Sequence, residues 1–150
     1  MRLFTIIIFL SITTFVVGQE IKSDGLVYYK GQLFTGTFTE YYEDGSTVKS
    51  ILEVESGKPQ GRSEIYFPDG SINEIRSYKN GKKHGKWLKY NDKKILVSSA
   101  KYKNDAKHGS WKVWDDNGLL RYSLNYKKGN KAGTWKMYDE NGKLSESKKY

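Results

Sequence analysis

The 150-residue chain contains no cysteine, only two prolines and few aliphatic residues. Without cysteine it forms no disulfide and offers no thiolate as a nucleophile or as a metal ligand. Two prolines exclude a proline-rich linker, and no stretch shows the 3.6-residue apolar period of an amphipathic helix. The length fits one domain. What is abundant is aromatic, with four tryptophans and twelve tyrosines, so rings must supply much of the core.

Residues 1–18 have the layout of a secretory signal peptide. Arg2 precedes an apolar run from Leu3 to Val17, and polar chain follows from Gln19. A spanning helix needs about 20 apolar residues, more than this run supplies, so cleavage is favoured over a membrane anchor. We expect a mature chain of residues 19–150, exported to the periplasm, the cell surface or the medium.

The mature chain is built from one unit repeated about every 24 residues. Residues 103–126 and 127–150 are identical at 11 of 24 positions. Glycine recurs at one position of the unit, and a ring follows two residues later in four of the five copies. The glycines are Gly36, Gly61, Gly85, Gly109 and Gly133. Five units fill residues 30–150, and residues 19–29 form an atypical lead-in.

Each unit is predicted to be a β-hairpin. In the fourth unit, Trp111 and Val113 alternate with polar or outward-facing residues before a turn that ends at Gly118, and alternation resumes after it. Asn or Asp precedes the turn glycine in four units, and these residues tolerate the positive φ of tight turns. The predicted fold is therefore all-β, an elongated open solenoid of about ten short strands in stacked antiparallel hairpins.

Stacking places equivalent residues of adjacent units roughly 9.6 Å apart, twice the strand spacing. Trp87, Trp111 and Trp135 should then form a ladder on one face, with rings wide enough to touch. Two interpretations stay open, because these tryptophans could be the core of the stack or a face that binds a partner.

The pattern Gly-x-Trp-x-x-Tyr, followed by an Asn-Gly or Asp-Gly turn and a closing tyrosine, resembles the MORN repeat. It is most similar to the bacterial MORN variant of the antitoxin-component family of toxin–antitoxin modules. The similarity covers residues 30–150. It is strongest over residues 79–150, where three Gly-x-Trp motifs are intact, beginning at Gly85, Gly109 and Gly133. The resemblance implies an elongated antiparallel sheet, contact with proteins or lipids, and no catalytic residues.

Residue types that carry chemistry are sparse. His84 and His108 share one repeat position, which allows a metal pair, but Gln60 and Ala132 occupy the same position in other units. Aspartates recur at the turns with a spacing unlike that of a calcium loop. No Gly-x-Ser-x-Gly elbow is present. We therefore predict no enzyme activity, no catalytic residue, no metal and no cofactor.

Charge is distributed unevenly along the chain. Residues 19–78 hold six basic and ten acidic residues, a net charge of −4, whereas residues 79–150 hold nineteen and seven, a net charge of +12. Lysines flank the tryptophans and recur in the bends, so the predicted partner face combines rings and lysines. Its residues are Trp87, Trp111, Trp135, Lys83, Lys107, Lys131, Lys86, Lys112 and Lys136. The alternative is a solvated face that keeps the sheet soluble.

These features predict an exported, non-enzymatic protein-interaction module, antitoxin-like or immunity-like by resemblance. The alternative is a module of the cell envelope that binds anionic lipid headgroups or polysaccharide through the lysine-rich face. Purely structural assembly stays open, since the C-terminal edge strand could pair with a second copy. Nucleic acid is disfavoured because lysine outnumbers arginine and because an exported protein rarely meets it.

Overall fold

A computed structural model of the protein describes residues 18–150, which are all-β with no helix. The predicted signal peptide, apart from Gly18, lies outside the described residues. Within them no helix is long and apolar enough to cross a membrane. The strands are β1 (Gln19–Ile21), β2 (Val27–Tyr29), β3 (Gln32–Leu33), β4 (Gly36–Tyr41), β5 (Val48–Glu55), β6 (Lys58–Tyr66), β7 (Ile72–Lys79), β8 (Lys82–Lys83), β9 (Gly85–Tyr90), β10 (Leu96–Lys103), β11 (Ala106–Lys107), β12 (Gly109–Trp114), β13 (Leu120–Lys127), β14 (Asn130–Lys131), β15 (Thr134–Tyr138) and β16 (Leu144–Lys149).

Ten of these strands follow one another across a single antiparallel sheet, in the order β4-β5-β6-β7-β9-β10-β12-β13-β15-β16. The short strands β8, β11 and β14 fold back on the ends of β7, β10 and β13. The lead-in forms a separate sheet, β1-β2-β3. The predicted all-β stack of antiparallel hairpins is confirmed, because each unit contributes two strands of alternating pattern and a turn.

Four of the five hairpins of the large sheet close with a five-residue loop, and the first closes with six residues, from Tyr42 to Thr47. In the fourth unit, the N–H of Asp115 donates to the carbonyl of Leu119 at 2.9 Å. Asp115 Oδ1 accepts the N–H groups of Asn117 and Leu119, both at 3.0 Å. Only the loop glycine, Gly118, has positive φ, at 84°. The expectation that the preceding Asn or Asp also takes positive φ is wrong, since this loop needs one left-handed residue rather than two.

The paired left-handed residues lie instead in the bends between units. Asn80 and Gly81 have φ of 51° and 77°, and Asn104 and Asp105 have φ of 50° and 67°. Two consecutive positive φ angles define the two-residue turn that best matches strand twist. These turns join β7 to β8 and β10 to β11, so the tight turn chemistry sits at the bends.

The third hairpin loop carries a lysine where the other loops carry glycine. Lys94 has φ of 62°, a conformation that costs a side-chain-bearing residue about 1–2 kcal/mol. Lys94→Gly removes this cost but adds about 0.4–1 kcal/mol of unfolded-state entropy. We expect a net gain of about 0.5–1 kcal/mol, measured by urea unfolding. Gly118→Lys in the next loop should lose a similar amount, and equal stability of all three proteins would contradict this account.

The apolar core lies at the N-terminal end of the sheet. Val27, Phe38 and Val54 are buried and pack together, with Phe34 and Leu52 against them. In the described chain beyond β5, Ala100 is the one buried hydrophobic residue. The later units therefore hold together by contacts other than a buried aliphatic core.

Candidate binding surfaces

Strand register assigns each side chain to one of two faces of the sheet. Cross-strand partners share a face, and successive residues of a strand alternate between faces. Trp87 lies opposite Ala100, and Trp111 lies opposite Leu124. We call the side that carries these tryptophans the ladder face and the other side the opposite face.

Rings form a continuous row along the ladder face from β7 to the C-terminus. We expected the tryptophan rings to touch one another, but they do not. The closing tyrosine of each unit lies between two successive tryptophans. Successive centroids are 4.9–5.4 Å apart in the order Tyr78, Trp87, Tyr102, Trp111, Tyr126, Trp135 and Tyr150. Tilted and edge-on pairs at this distance are favourable. The row links three consecutive units.

Each ladder tryptophan is also fixed by a hydrogen bond to the backbone. The indole N–H of Trp87 donates to the carbonyl of Ser77 at 3.0 Å, and that of Trp111 donates to Lys101 at 2.9 Å. Trp135 donates to Asn125 at 2.8 Å. The same carbonyls accept a backbone N–H from the bend of the next unit. The indoles therefore lock bend to strand, which makes them part of the framework.

Lysines from the bends cover the rings. Lys107 Nζ lies 4.5 Å from the centroid of Trp111 and 4.9 Å from that of Tyr126. Lys83 and Lys131 take the same place in their units. Cations over ring faces are attracted by about 0.5–1 kcal/mol at exposed sites. Burial raises the pKa of Tyr102, a ring of this row.

The nine predicted partner-face residues do not share one surface. The three tryptophans and Lys83, Lys107 and Lys131 come together on the ladder face. Lys86, Lys112 and Lys136 are next to the tryptophans in sequence, so strand alternation puts them on the opposite face.

The opposite face carries lysines without carboxylates from β9 to β16. The seven acidic residues of residues 79–150 lie in loops or bends or, for Glu146, on the ladder face opposite Met137. Serine and asparagine separate the lysines, as where Lys112 pairs with Ser99 and Ser123. None of these lysines is in an ion pair within residues 18–150. This face is a continuous positive surface.

An apolar patch is exposed on the ladder face of the last two units. Tyr122 and Met137 are cross-strand partners and are 40% and 38% exposed. Together with Leu124, Trp135 and Tyr150 they line a shallow hollow of about 250 Å³, and the charged residues Glu146 and Lys148 complete its lining. Sequence reasoning missed this patch, although the period-two pattern of β13 and β15 was a sufficient signal for it.

The recurring aspartates are occupied by turn hydrogen bonds. In the first loop, hydrogen bonds from the side chain and backbone of Thr47 and from the backbone of Ser46 lower the pKa of Asp44. Ser71 lowers the pKa of Asp69 in the same way. No group of three or more His, Asp or Glu side chains suited to a metal occurs in residues 18–150. His84 and His108 instead line a basic groove with lysines.

Comparison with known families agrees with this geometry. Residues 59–80, 107–128 and 131–150 match a family model described as the MORN repeat variant. These three segments are similar to the MORN repeat variant. No curated protein matches the chain. The matched segments contain the β6–β7, β12–β13 and β15–β16 hairpins, and the β9–β10 hairpin has the same fold between them.

The MORN match identifies the repeat and does not extend to the antitoxin-component subtype. MORN repeats are in general binding modules rather than catalytic ones. Such a module recognises its partners through surfaces presented by stacked units. The surfaces that this stack presents are the apolar patch, the ring row and the lysines of the opposite face.

Proposed function

We propose that the chain is a non-catalytic protein-interaction module that binds its partner with the apolar patch of its last two units. The observation that carries the proposal is that the side chains of Tyr122 and Met137 are exposed next to each other on neighbouring strands of the sheet. Aromatic residues and methionine are enriched at protein interfaces, and apolar residues rimmed by charge mark binding sites. Lys131 and Lys148 lie over rings at the margin of the patch.

The partner that this patch fits has an apolar centre and a rim with charges of both signs, because Lys148 and Glu146 both border the hollow. In the antitoxin-like form of the proposal, the partner is a toxin that the module neutralises, a form supported by the sequence resemblance. The predicted export signal places the encounter outside the cytoplasm. Because the ladder tryptophans hold the units together, we assign recognition of the partner to Tyr122 and Met137.

Met137→Glu tests the proposal, since it places a charge at the centre of the patch. A partner captured from the host's envelope and secreted fractions by the wild type should resist a high-salt wash and bind Met137→Glu at least tenfold more weakly, equivalent to about 1.4 kcal/mol. Lys112→Ser, on the opposite face, is the matched control and should retain the partner. Equal capture by Met137→Glu and the wild type would contradict the proposal. Sedimentation of the same proteins tests self-association through β16.

A second candidate function is association with the anionic cell envelope, and the carboxylate-free opposite face supports it. Each lysine near an anionic surface adds about 1 kcal/mol at low salt, and the attraction falls with ionic strength. Binding to vesicles with anionic lipid should then disappear at high salt and weaken in Lys112→Ser, while Met137→Glu has no effect. The two variants thus separate the two candidates.

A further inference from the structure

A basic groove lies at the junction of the third and fourth units, apart from the apolar patch. It has a volume of about 350 Å³. Its charged and titratable lining residues are His84, Lys86, Lys101, Lys103 and His108. Lys86 and Lys101 are direct cross-strand partners on β9 and β10. Two lysines held opposite each other without an intervening carboxylate repel one another, so the arrangement is suited to a bound anion.

No carboxylate neutralises these lysines. The ion pairs of residues 18–150 do not include Lys86, Lys101 or Lys103. Asp105, the acidic residue nearest to them in sequence, accepts the backbone N–H of Lys83 with Oδ1 at 2.8 Å. Its carboxylate therefore serves the bend, and the charge of the groove is left for a ligand.

The two histidines differ in what they offer to the groove. Nδ1 of His84 lies 3.2 Å from Oδ1 of Asn104 and donates to it. Nδ1 of His108 is buried and has no hydrogen-bond partner among residues 18–150. A buried imidazole nitrogen without a partner is less costly as a bare acceptor than as an N–H donor, which puts the proton of neutral His108 on Nε2.

The framework of the repeat does not require this composition. At the next junction the equivalent positions carry His108, Ser110, Asn125, Lys127 and Ala132. At the preceding junction they carry Gln60, Arg62, Ser77, Lys79 and His84. All three junctions have the same strand pairing. Three lysines and two histidines are concentrated at one junction only, so the cluster has a local cause.

We infer that this groove binds an oxyanion, the phosphate or sulfate group of a ligand. Lysines supply the point charges that phosphate groups prefer, and the Nε2–H of His108 supplies a directed hydrogen bond. The shared chemistry is a tetrahedral oxyanion, carried by a soluble molecule or by a lipid headgroup. The site is separate from the apolar patch, so it does not depend on the proposed protein-interaction function.

The test uses NMR titration with inorganic phosphate and with sulfate at fixed ionic strength. Saturable shifts should centre on the amides of His84, Lys101 and His108. The double variant Lys86→Ser with Lys101→Asn introduces residues that the next junction already tolerates, and it should bind at least tenfold more weakly. Lys112→Ser removes a positive charge from the same face outside the groove and should bind within twofold of the wild type. Equal losses in both variants, or no saturable shift in the wild type, would overturn the inference.

A gain-of-function variant makes the test independent of any loss of folding. Ser110→Lys, Asn125→Lys and Ala132→His together rebuild the groove at the next junction, and phosphate stoichiometry should rise from one to two. An unchanged stoichiometry in the folded variant would contradict the inference. The source of the oxyanion is then decided by comparing a soluble phosphate monoester with vesicles that carry a phosphate-monoester headgroup, and preference for either one is consistent with the site.

Discussion

Trp111→Ala should lower the free energy of unfolding by about 3 kcal/mol, at the lower end of the range for removing a large ring. The indole contacts Tyr102 and Tyr126, each with a centroid distance of 5.2 Å. It also holds the carbonyl of Lys101 and lies under Lys107. One substitution therefore breaks the ring row between two units. Urea unfolding monitored by circular dichroism measures the loss.

Trp111→Phe is the matched control, because it keeps a ring in the row and removes the indole N–H. The carbonyl of Lys101 still accepts the backbone N–H of His108 at 2.9 Å, so this variant should lose only about 1 kcal/mol. A loss below about 1 kcal/mol for the alanine variant would mean that the ring row is not the framework of these units.

Gly57→Ala should also be strongly destabilising, by about 3 kcal/mol or more, because it combines two costs. Gly57 has φ of 76°, which a residue with a Cβ adopts unfavourably. An added Cβ would lie 2.6 Å from Leu33 Cδ2 and 3.1 Å from the carbonyl oxygen of Val27. That carbonyl is part of the junction with the lead-in, where Gly57 donates to Phe34 at 2.7 Å. The exposed Leu33 side chain can turn away from the methyl group, but the Val27 carbonyl belongs to the backbone, which would have to shift by a few tenths of an ångström.

Gly45→Ala separates the two costs. Gly45 has a similar φ of 70°, but an added Cβ there would meet nothing within 4 Å. This variant should lose only the conformational cost of about 1–2 kcal/mol. Thermal and urea unfolding of the two variants under the same conditions give the difference. Equal losses of unfolding free energy in the two variants would show that the steric contact at Gly57 contributes nothing to the destabilisation.

The stacked hairpins could be predicted from the sequence because two local signals agree. Period-two alternation marks the strands, and glycine at fixed intervals marks the turns. The same glycines have a second role that spacing alone did not reveal. Gly85 lies directly opposite Tyr102, and Gly109 lies opposite Tyr126. The φ angles of these two glycines are 85° and 70°, and an added Cβ would meet Ser77 at 3.3 Å or Lys101 at 3.4 Å, so these positions need glycine for the left-handed backbone and for the close approach of the preceding strand.

The candidate site was predictable only in part. Strand alternation is enough to separate Lys112 from Trp111, since neighbours in a strand face opposite sides. The position of Lys107 over the rings depends on the backbone path of the bend between β11 and β12. The period of a sequence pattern does not predict that path. The buried core of Val27, Phe38 and Val54 was also out of reach, because it needs the lead-in to dock through Gly57, a contact between segments about 30 residues apart.

The central claim is that Trp87, Trp111 and Trp135 are framework residues, locked to the backbone through their indole N–H groups. Hydrogen exchange of the four indole N–H groups, followed by NMR on the wild-type protein, tests it most directly. Trp114 serves as the internal control, since its indole makes no hydrogen bond within residues 18–150. The account predicts slow exchange for the three ladder indoles and fast exchange for Trp114. Equally fast exchange at all four would contradict it.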